Sequence, residues 1–500
     1  MYRLFGLETE YGITVEGRGA ADLIQESIGV VRAVDVPSVA GWRYLGEDPR
    51  RDMRGFRVDQ LSTDPLDAQF DTPGRSPGPH HEERSDHVLC NGARLYNDHG
   101  HPEYSTPECS NLHDLVAADR AGERIVFEAA RRRGMELRAP VVLYKNNTDF
   151  HGASYGTHED YLMRRDVPPE ELIAGLVPFL VSRQLYAGAG KVGVEGETHT
   201  APYQLSQRAD YIAVEASVDT LHNRPIVNTR DEPHATPRSF RRLHVIVGDA
   251  NMSEWATAMK VGALSLVIGL LERGWRPSLA LENPVRAIKE LSRDPTLRWL
   301  VRLKDGRTMS AIDVQRHYLA AAREMLAGSS PDADWTIAEW EAVLDDLERR
   351  VASTADRIDW VAKRQLLEQF MAEESVGWDA PALKSLDLSY HDLEPEMGLF
   401  AGLEQAGAMR RIVTDEQIEA AMACPPADTR AYIRGLFIRR FGQAIRSIGW
   451  NRIAFTCEGE DYDFDMNPLV GPDVRLLNEE LSKAASLADV VAVVRRDPGK

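Results

Sequence analysis

The chain has 500 residues, 43% hydrophobic and 27% charged, a composition that belongs to globular chains and excludes disordered or fibrous ones. Lysine and arginine total 59 against 78 aspartate and glutamate; the net charge of −19 opposes a phosphate backbone, so nucleic acid is not an expected partner. The length favours more than one domain, or one large core with an appendage.

The N-terminus "MYRLFGLETEYG" lacks the basic start and apolar run of a secretion signal. No segment reads as the roughly 18 apolar residues of a membrane helix, so a cytoplasmic protein without membrane contact is expected. "RLFGLETEYGITV" alternates as a first strand and puts Glu8 and Glu10, two apart, on one face. Adjacent carboxylates repel unless a divalent cation, a basic side chain or a shared proton lies between them, and Mg²⁺ suits carboxylate oxygens. A lone ExE also describes an ordinary solvent-facing strand edge.

Residues 45–86, rich in Asp, Pro, Arg and Gly without an apolar period, predict a long mobile loop. The next stretch, "NGARLYNDHGHPEYSTPE", reads as strand running into loop, with Arg94, Tyr96 and Asp98 on one face, Leu95 and Asn97 on the other, and Glu103 following the His101–Pro102 turn. An arginine, a phenol and a carboxylate on one face is costly in a core, so that face should meet solvent or a ligand. His80, His81, His87, Cys90, His99, His101 and Cys109 crowd this region, yet their spacing fits no common zinc motif. Cys424 and Cys457 complete the cysteines, with no disulfide framework indicated.

Helices are predicted over "LHDLVAADRAGERIVFEAARRRG", stopping at Gly134, over "PPEELIAGLVPFLVSRQLYAG", opened by Pro168 and Pro169, and over "SEWATAMKVGALSLVIGLLERG", from Ser253 as N-cap to Gly274. Strand-like "APVVLYKNNTDF", "DYIAVEASV" and "RRLHVIVGDAN" interleave irregularly, which indicates α+β. A helical region spans 309–375. A fresh amphipathic helix follows the Pro425–Pro426 pair, setting a boundary near 430 between a large domain (1–430) and a small C-terminal one (431–500). No Walker loop, GxGxxG, GxSxG or kinase motif is present.

"GLETEYGI", "NGARLYNDHGHPEYSTPE", "YKNNTD", "GASYGTHEDYL", "QLSQRADYI", "NTRDEPHA", "RRLHVIVGDAN" and "DTRAYIRG" resemble, in this order, the family of Pup ligases and Pup deamidases, itself related to glutamine synthetase. The resemblance implies an α+β core whose curved antiparallel sheet cradles ATP and Mg²⁺, with Pup and pupylated proteins as partners. The insertion at 45–86 and the form "DHGHPEYS" resemble the deamidase branch, which converts the C-terminal glutamine of Pup to glutamate and cleaves the Pup–lysine isopeptide bond. The nucleotide there, ATP or ADP plus phosphate, is a cofactor. The alternatives are an ATP-consuming Pup ligase, a small-molecule ligase of the glutamine-synthetase type, or a Pup-binding regulator without chemistry.

By this resemblance Asp98 is the catalytic carboxylate, as nucleophile or as base. Glu8, Glu10, Tyr96, Glu103, His158 and His244 take metal positions. Arg94, Thr106, Arg230 and Trp450 take nucleotide positions. Asn97 stands where the family usually has an aliphatic residue, on the face away from Asp98.

Overall fold

The computed structural model describes residues 3–19, 22–44, 47–61, 84–149, 152–195, 201–220, 223–232, 234–466 and 472–495. The first alternating stretch forms two strands that join different sheets. β1 (Phe5–Glu10) enters a seven-stranded sheet, and after Tyr11 the strand Gly12–Val15 pairs with Val141–Tyr144. The large sheet adds β2 (Ser38–Val39), β3 (His87–Leu89), β4 (Arg94–Asp98), β5 (His101–Ser105), β6 (Thr157–Arg164) and β7 (Phe240–Val245). Its order is β7-β6-β1-β5-β4-β3-β2, antiparallel throughout. The fold is α+β.

Alternation decides which face is covered. Leu7, Leu95, Tyr104, Tyr161 and Leu243 point to one side and are buried, and helices close that side. Among them are α1 (Leu112–Leu137), which packs on β1 and β5, and α2 (Glu254–Glu272), which lies against α1. α2 starts as Ser253 predicts, its hydroxyl accepting from the Ala256 amide. It corrects one expectation: with a mean hydropathy of 1.4 it is long and apolar enough to cross a membrane, yet 94% of that window is buried inside the protein. It is the core helix of the domain.

Other boundaries shift for identifiable reasons. α1 does not stop at Gly134 but runs to Leu137 and closes on Arg138 in the left-handed region. Gly134 is where the returning chain crosses, since a Cβ there would lie 3.0 Å from the Ala139 carbonyl. The region 309–375 holds three α-helices, Ala311–Leu326, Pro331–Arg349 and Asp359–Glu374, joined by short turns. "DYIAVEASV" contributes only Val214–Ser217, paired in parallel with Pro225–Asn228 outside the large sheet.

Part of the expected mobile loop is docked. Met53 is buried in the main core, and Asp52 is buried between Arg54 and the Thr229 hydroxyl, both of which donate to it. Residues 47–61 therefore belong to the body; 45–46 and 62–83, with His80 and His81, lie outside the described residues. At the C-terminal end, Ile433, Phe437, Ile453 and Phe455 share a cluster with Trp42, Val88 and Cys90, which seats the three-stranded sheet Ile445–Ile448, Arg452–Cys457 and Glu460–Asp465 beside β3.

One buried group makes stability depend on pH. Burial first and Lys363 second hold the His391 imidazole well below its ordinary range. The unfolded chain takes that proton near pH ~6.5 while the folded one does not, so the contribution is complete above about pH 6.5 and is lost as pH falls. His391→Gln should remove this dependence: relative to the variant, the wild type loses up to ~1.4 kcal/mol per pH unit below that value. Urea unfolding of both proteins between about pH 8 and 5 checks it, and parallel curves contradict it.

Candidate active site

Cross-strand register builds the uncovered face. Glu8 lies opposite His158 on β6 and Ser105 on β5, Glu10 opposite Glu103, Tyr96 opposite Glu103, and His244 on β7 opposite Asp160. Directly opposed residues share a face, so nine polar side chains, from Arg94, Tyr96 and Asp98 through Glu103, Glu10, Glu8 and His158 to Asp160 and His244, line one floor. Asn97 lies on the opposite side.

Two ligand-like groups form there. Glu8, His158 and His244 each offer an atom within 4.8 Å of the others, and so do Glu10, Asp98 and Glu103. Tyr96 supports the second group by donating its hydroxyl to Glu103 Oε1 at 2.6 Å. Asp160 supports the first: His244 Nδ1 lies 2.9 Å from its Oδ1, a pairing that assigns the ring proton to Nδ1 and leaves Nε2 as the donor atom for a cation. Arg242 ties this group together, reaching Asp160 Oδ1 at 3.0 Å and Glu8 Oε1 at 3.3 Å.

The charges are divided unequally. Burial, then Asp98, Glu8 and Glu10, push the Glu103 carboxyl well above the usual carboxylate range. Burial would also raise Asp98, but His99, Arg84, Arg94 and His158 outweigh it and hold that carboxyl low; Arg84 Nη2 lies 3.5 Å from Asp98 Oδ1. Asp98 is thus held toward its anion, while the three neighbouring carboxylates oppose the ionisation of Glu103.

The expected nucleotide residues fall into two places. Thr106 and Trp450 line a cleft on the floor with Glu8, Gly6, His234 and Arg242. Thr106 is locked there, its Oγ1 accepting from the Leu7 amide at 3.0 Å. Trp450 is held by Arg434, whose guanidinium sits 4.9 Å from the ring centre and donates to the Trp450 carbonyl at 2.9 Å. Arg94 is outside this cleft. Its guanidinium is stacked between Trp42 and Tyr96, 4.1 and 3.8 Å from their ring centres, and donates through Nε to Asp86 Oδ1 at 2.8 Å. Arg230 does not line the cleft but borders it, its Nη1 3.9 Å from Glu232 Oε2, which the cleft residue Arg242 also reaches at 3.4 Å.

Sequence reasoning missed Asp160, Arg242 and Arg208. The first two sit on the same face by alternation, a signal available once β6 and β7 are recognised as paired. Arg208 gave no signal. It is fully buried, and none of its guanidinium nitrogens has a hydrogen-bond partner among the described residues. Burial, then Arg224, push it down to about 9, against the attraction of Glu10 and Asp249. A buried guanidinium left without a protein partner is costly.

A family model described as Pup-ligase protein matches residues 3–454. The chain belongs to this Pup ligase family. It is 43% identical over 474 residues to the depupylase of Acidothermus cellulolyticus, covering 92% of both chains, and 44% identical over 472 residues to the Pup deamidase/depupylase of Mycolicibacterium smegmatis, covering 92% of this chain and 93% of that one. Among solved structures, the complex between Pup and its ligase PafA matches with a TM-score of 0.77 at 32% identity, covering 99% of this chain and 94% of that one. The seven-stranded antiparallel floor is thus the Pup ligase family fold, and this member places on it one Glu–His–His group and one group of three carboxylates that includes Asp98.

Proposed function

We propose that this chain is a Pup deamidase and depupylase, hydrolysing the side-chain amide of the C-terminal glutamine of Pup and the Pup–lysine isopeptide bond. The observation that carries it is Asp98: a carboxylate kept anionic in a buried, carboxylate-rich floor, in a chain 42–44% identical over 92% of its length to proteins named for these activities.

A carboxyl held low is a poor base and already a nucleophile, so we assign direct attack to Asp98. One Asp98 oxygen adds to the amide carbonyl carbon. The nitrogen takes a proton from water and leaves as ammonia or as the substrate lysine amine, the C–N bond breaking as an anhydride forms between Asp98 and the Pup side chain, and the hydroxide left behind is the species that next opens it. That hydroxide adds to the Pup acyl carbon and the anhydride C–O bond breaks, giving glutamate and free Asp98 carboxylate. Arg208, buried beside Glu10, is the cation for an oxyanion or carboxylate of the substrate.

The donor set fits Mg²⁺: Glu10 and Glu103 with Asp98 at one position, and Glu8, His158 and His244 at the other. When bound, Mg²⁺ polarises the carbonyl and holds phosphate oxygens. A cation there would offset the repulsion that raises the Glu103 carboxyl. The cleft of Thr106, His234 and Trp450 would hold the base and ribose of ATP; a relative, the Pup ligase PafA, has been solved in complex with ADP at 37% identity.

The reading is tested by incubating the protein, Mg²⁺ and ATP with Pup ending in glutamine and following the mass of Pup. Conversion to glutamate without matching ATP consumption is expected; ATP-dependent attachment of Pup to lysine would establish a ligase instead.

Arg434 yields a separate prediction. Fully buried, it donates to the Gly92 and Trp450 carbonyls and, with Arg430, holds Glu108 at about 2 against burial. Breaking one arm of such a buried cluster costs ~3–5 kcal/mol. Arg434→Leu should lower the melting temperature and weaken ADP binding about tenfold by releasing Trp450. Calorimetric titration with ADP checks it, and unchanged affinity would detach Trp450 from the nucleotide.

A further inference from the structure

A buried hydrogen-bond chain runs from the helix Asp359–Glu374 to Asn147, which packs against Gly156 at the floor of the site. Lys363 gives its ammonium protons to the Gly190 carbonyl at 2.8 Å, Asp387 Oδ1 at 2.5 Å and His391 Nε2 at 2.7 Å. An ammonium has no lone pair, so Nε2 is the acceptor and the imidazole carries its proton on Nδ1. Gln207 Nε2 lies 3.0 Å from the same nitrogen and donates to the Gly190 carbonyl at 3.0 Å. This fixes the amide, leaving Gln207 Oε1 to accept from both the backbone and side-chain nitrogens of Asn147, each at 2.8 Å. Asn147 Oδ1 accepts from the Ala250 amide at 2.8 Å and fills the space where a side chain on Gly156 would stand. Gly156, at φ +150°, donates its amide to Glu10 Oε2 at 2.8 Å.

The chain therefore ends on two site groups: Gln207 directly precedes Arg208, and Gly156 holds Glu10. Its members are buried, donor and acceptor roles are fixed from Lys363 to Asn147, and the last step to Gly156 is packing. His391 Nδ1 has no hydrogen-bond partner among the described residues. An apolar core would fill this volume without that unsatisfied proton or a buried ammonium. We propose that Lys363, His391 and Gln207 are positioning residues for amide hydrolysis, holding Arg208 and Glu10 in place through Asn147. The proposal rests on the hydrolase reading above.

Three variants test it on the full chain. His391→Leu removes the acceptor, Lys363→Met removes the donor, and His391→Gln keeps an acceptor. The first two should lower kcat/KM for Pup deamidation by about tenfold or more at temperatures below melting, and the third should stay within about threefold of wild type. Combined with Arg208→Met, His391→Leu should add little further loss, because both act on one group. Losses that multiply would overturn the proposal. Hydrogen exchange supplies a readout besides activity: in His391→Leu it should rise at 145–149, 152–156 and 203–211. A rise confined to 359–391 would overturn positioning even if deamidation itself failed and took the hydrolase reading with it.

Discussion

Asp98→Asn is expected to abolish deamidation and depupylation, with kcat/KM falling about 10³-fold or more, while the protein keeps its fold. The substitution is isosteric, and Asp98 is the carboxylate that the floor keeps anionic. The effect on stability separates this from damage. Burial and Asp98 are the two foremost causes raising Glu103, and Glu8 and Glu10 add to them, so removing the Asp98 charge relieves repulsion. The melting temperature without metal should therefore stay level or rise. Residual activity within tenfold of wild type would move the nucleophile to another group, and a collapsed melting curve would make Asp98 structural.

Period-two reasoning went far on this floor because strands are rigid about it. Arg94, Tyr96 and Asp98 share a face, as do Glu8 and Glu10, and Asn97 lies behind. β6 was not foreseen as a strand, since "THEDYLMR" puts a carboxylate, Glu159, at a core position. That position works only because Arg183 and the Tyr161 hydroxyl both bond Glu159 beneath the sheet. A partner as distant in sequence as Arg183 is invisible to a local pattern. The same blindness hid the partners of Arg94: its engagement with Asp86 and Trp42 is set by segments at the two ends of the insertion. Residues 47–61 looked mobile because their anchors, Asp52 and Met53, are single residues in a polar run, and what they bind lies in the body.

Arg208→Met should make the protein more stable and less active. Its guanidinium is fully buried, lacks a hydrogen-bond partner among the described residues and is pushed down to about 9. A buried polar group left unsatisfied costs ~1–3 kcal/mol, and more when charged, whereas methionine fills a comparable volume without that cost. Melting in the absence of ligands should thus shift upward, by ~1–3 kcal/mol in unfolding free energy. Activity should fall about 10²-fold, because a charge-assisted contact to a substrate anion is lost. The two signs together exclude a general packing defect, which would lower both. Inorganic phosphate supplies the decisive arm: an anion that binds the native state alone stabilises it by RT ln(1 + [L]/Kd), so phosphate should raise the melting temperature of the wild type and leave the variant unmoved. A variant that melts lower and still responds to phosphate would mean that Arg208 holds the core, and that the anion is met elsewhere on the floor.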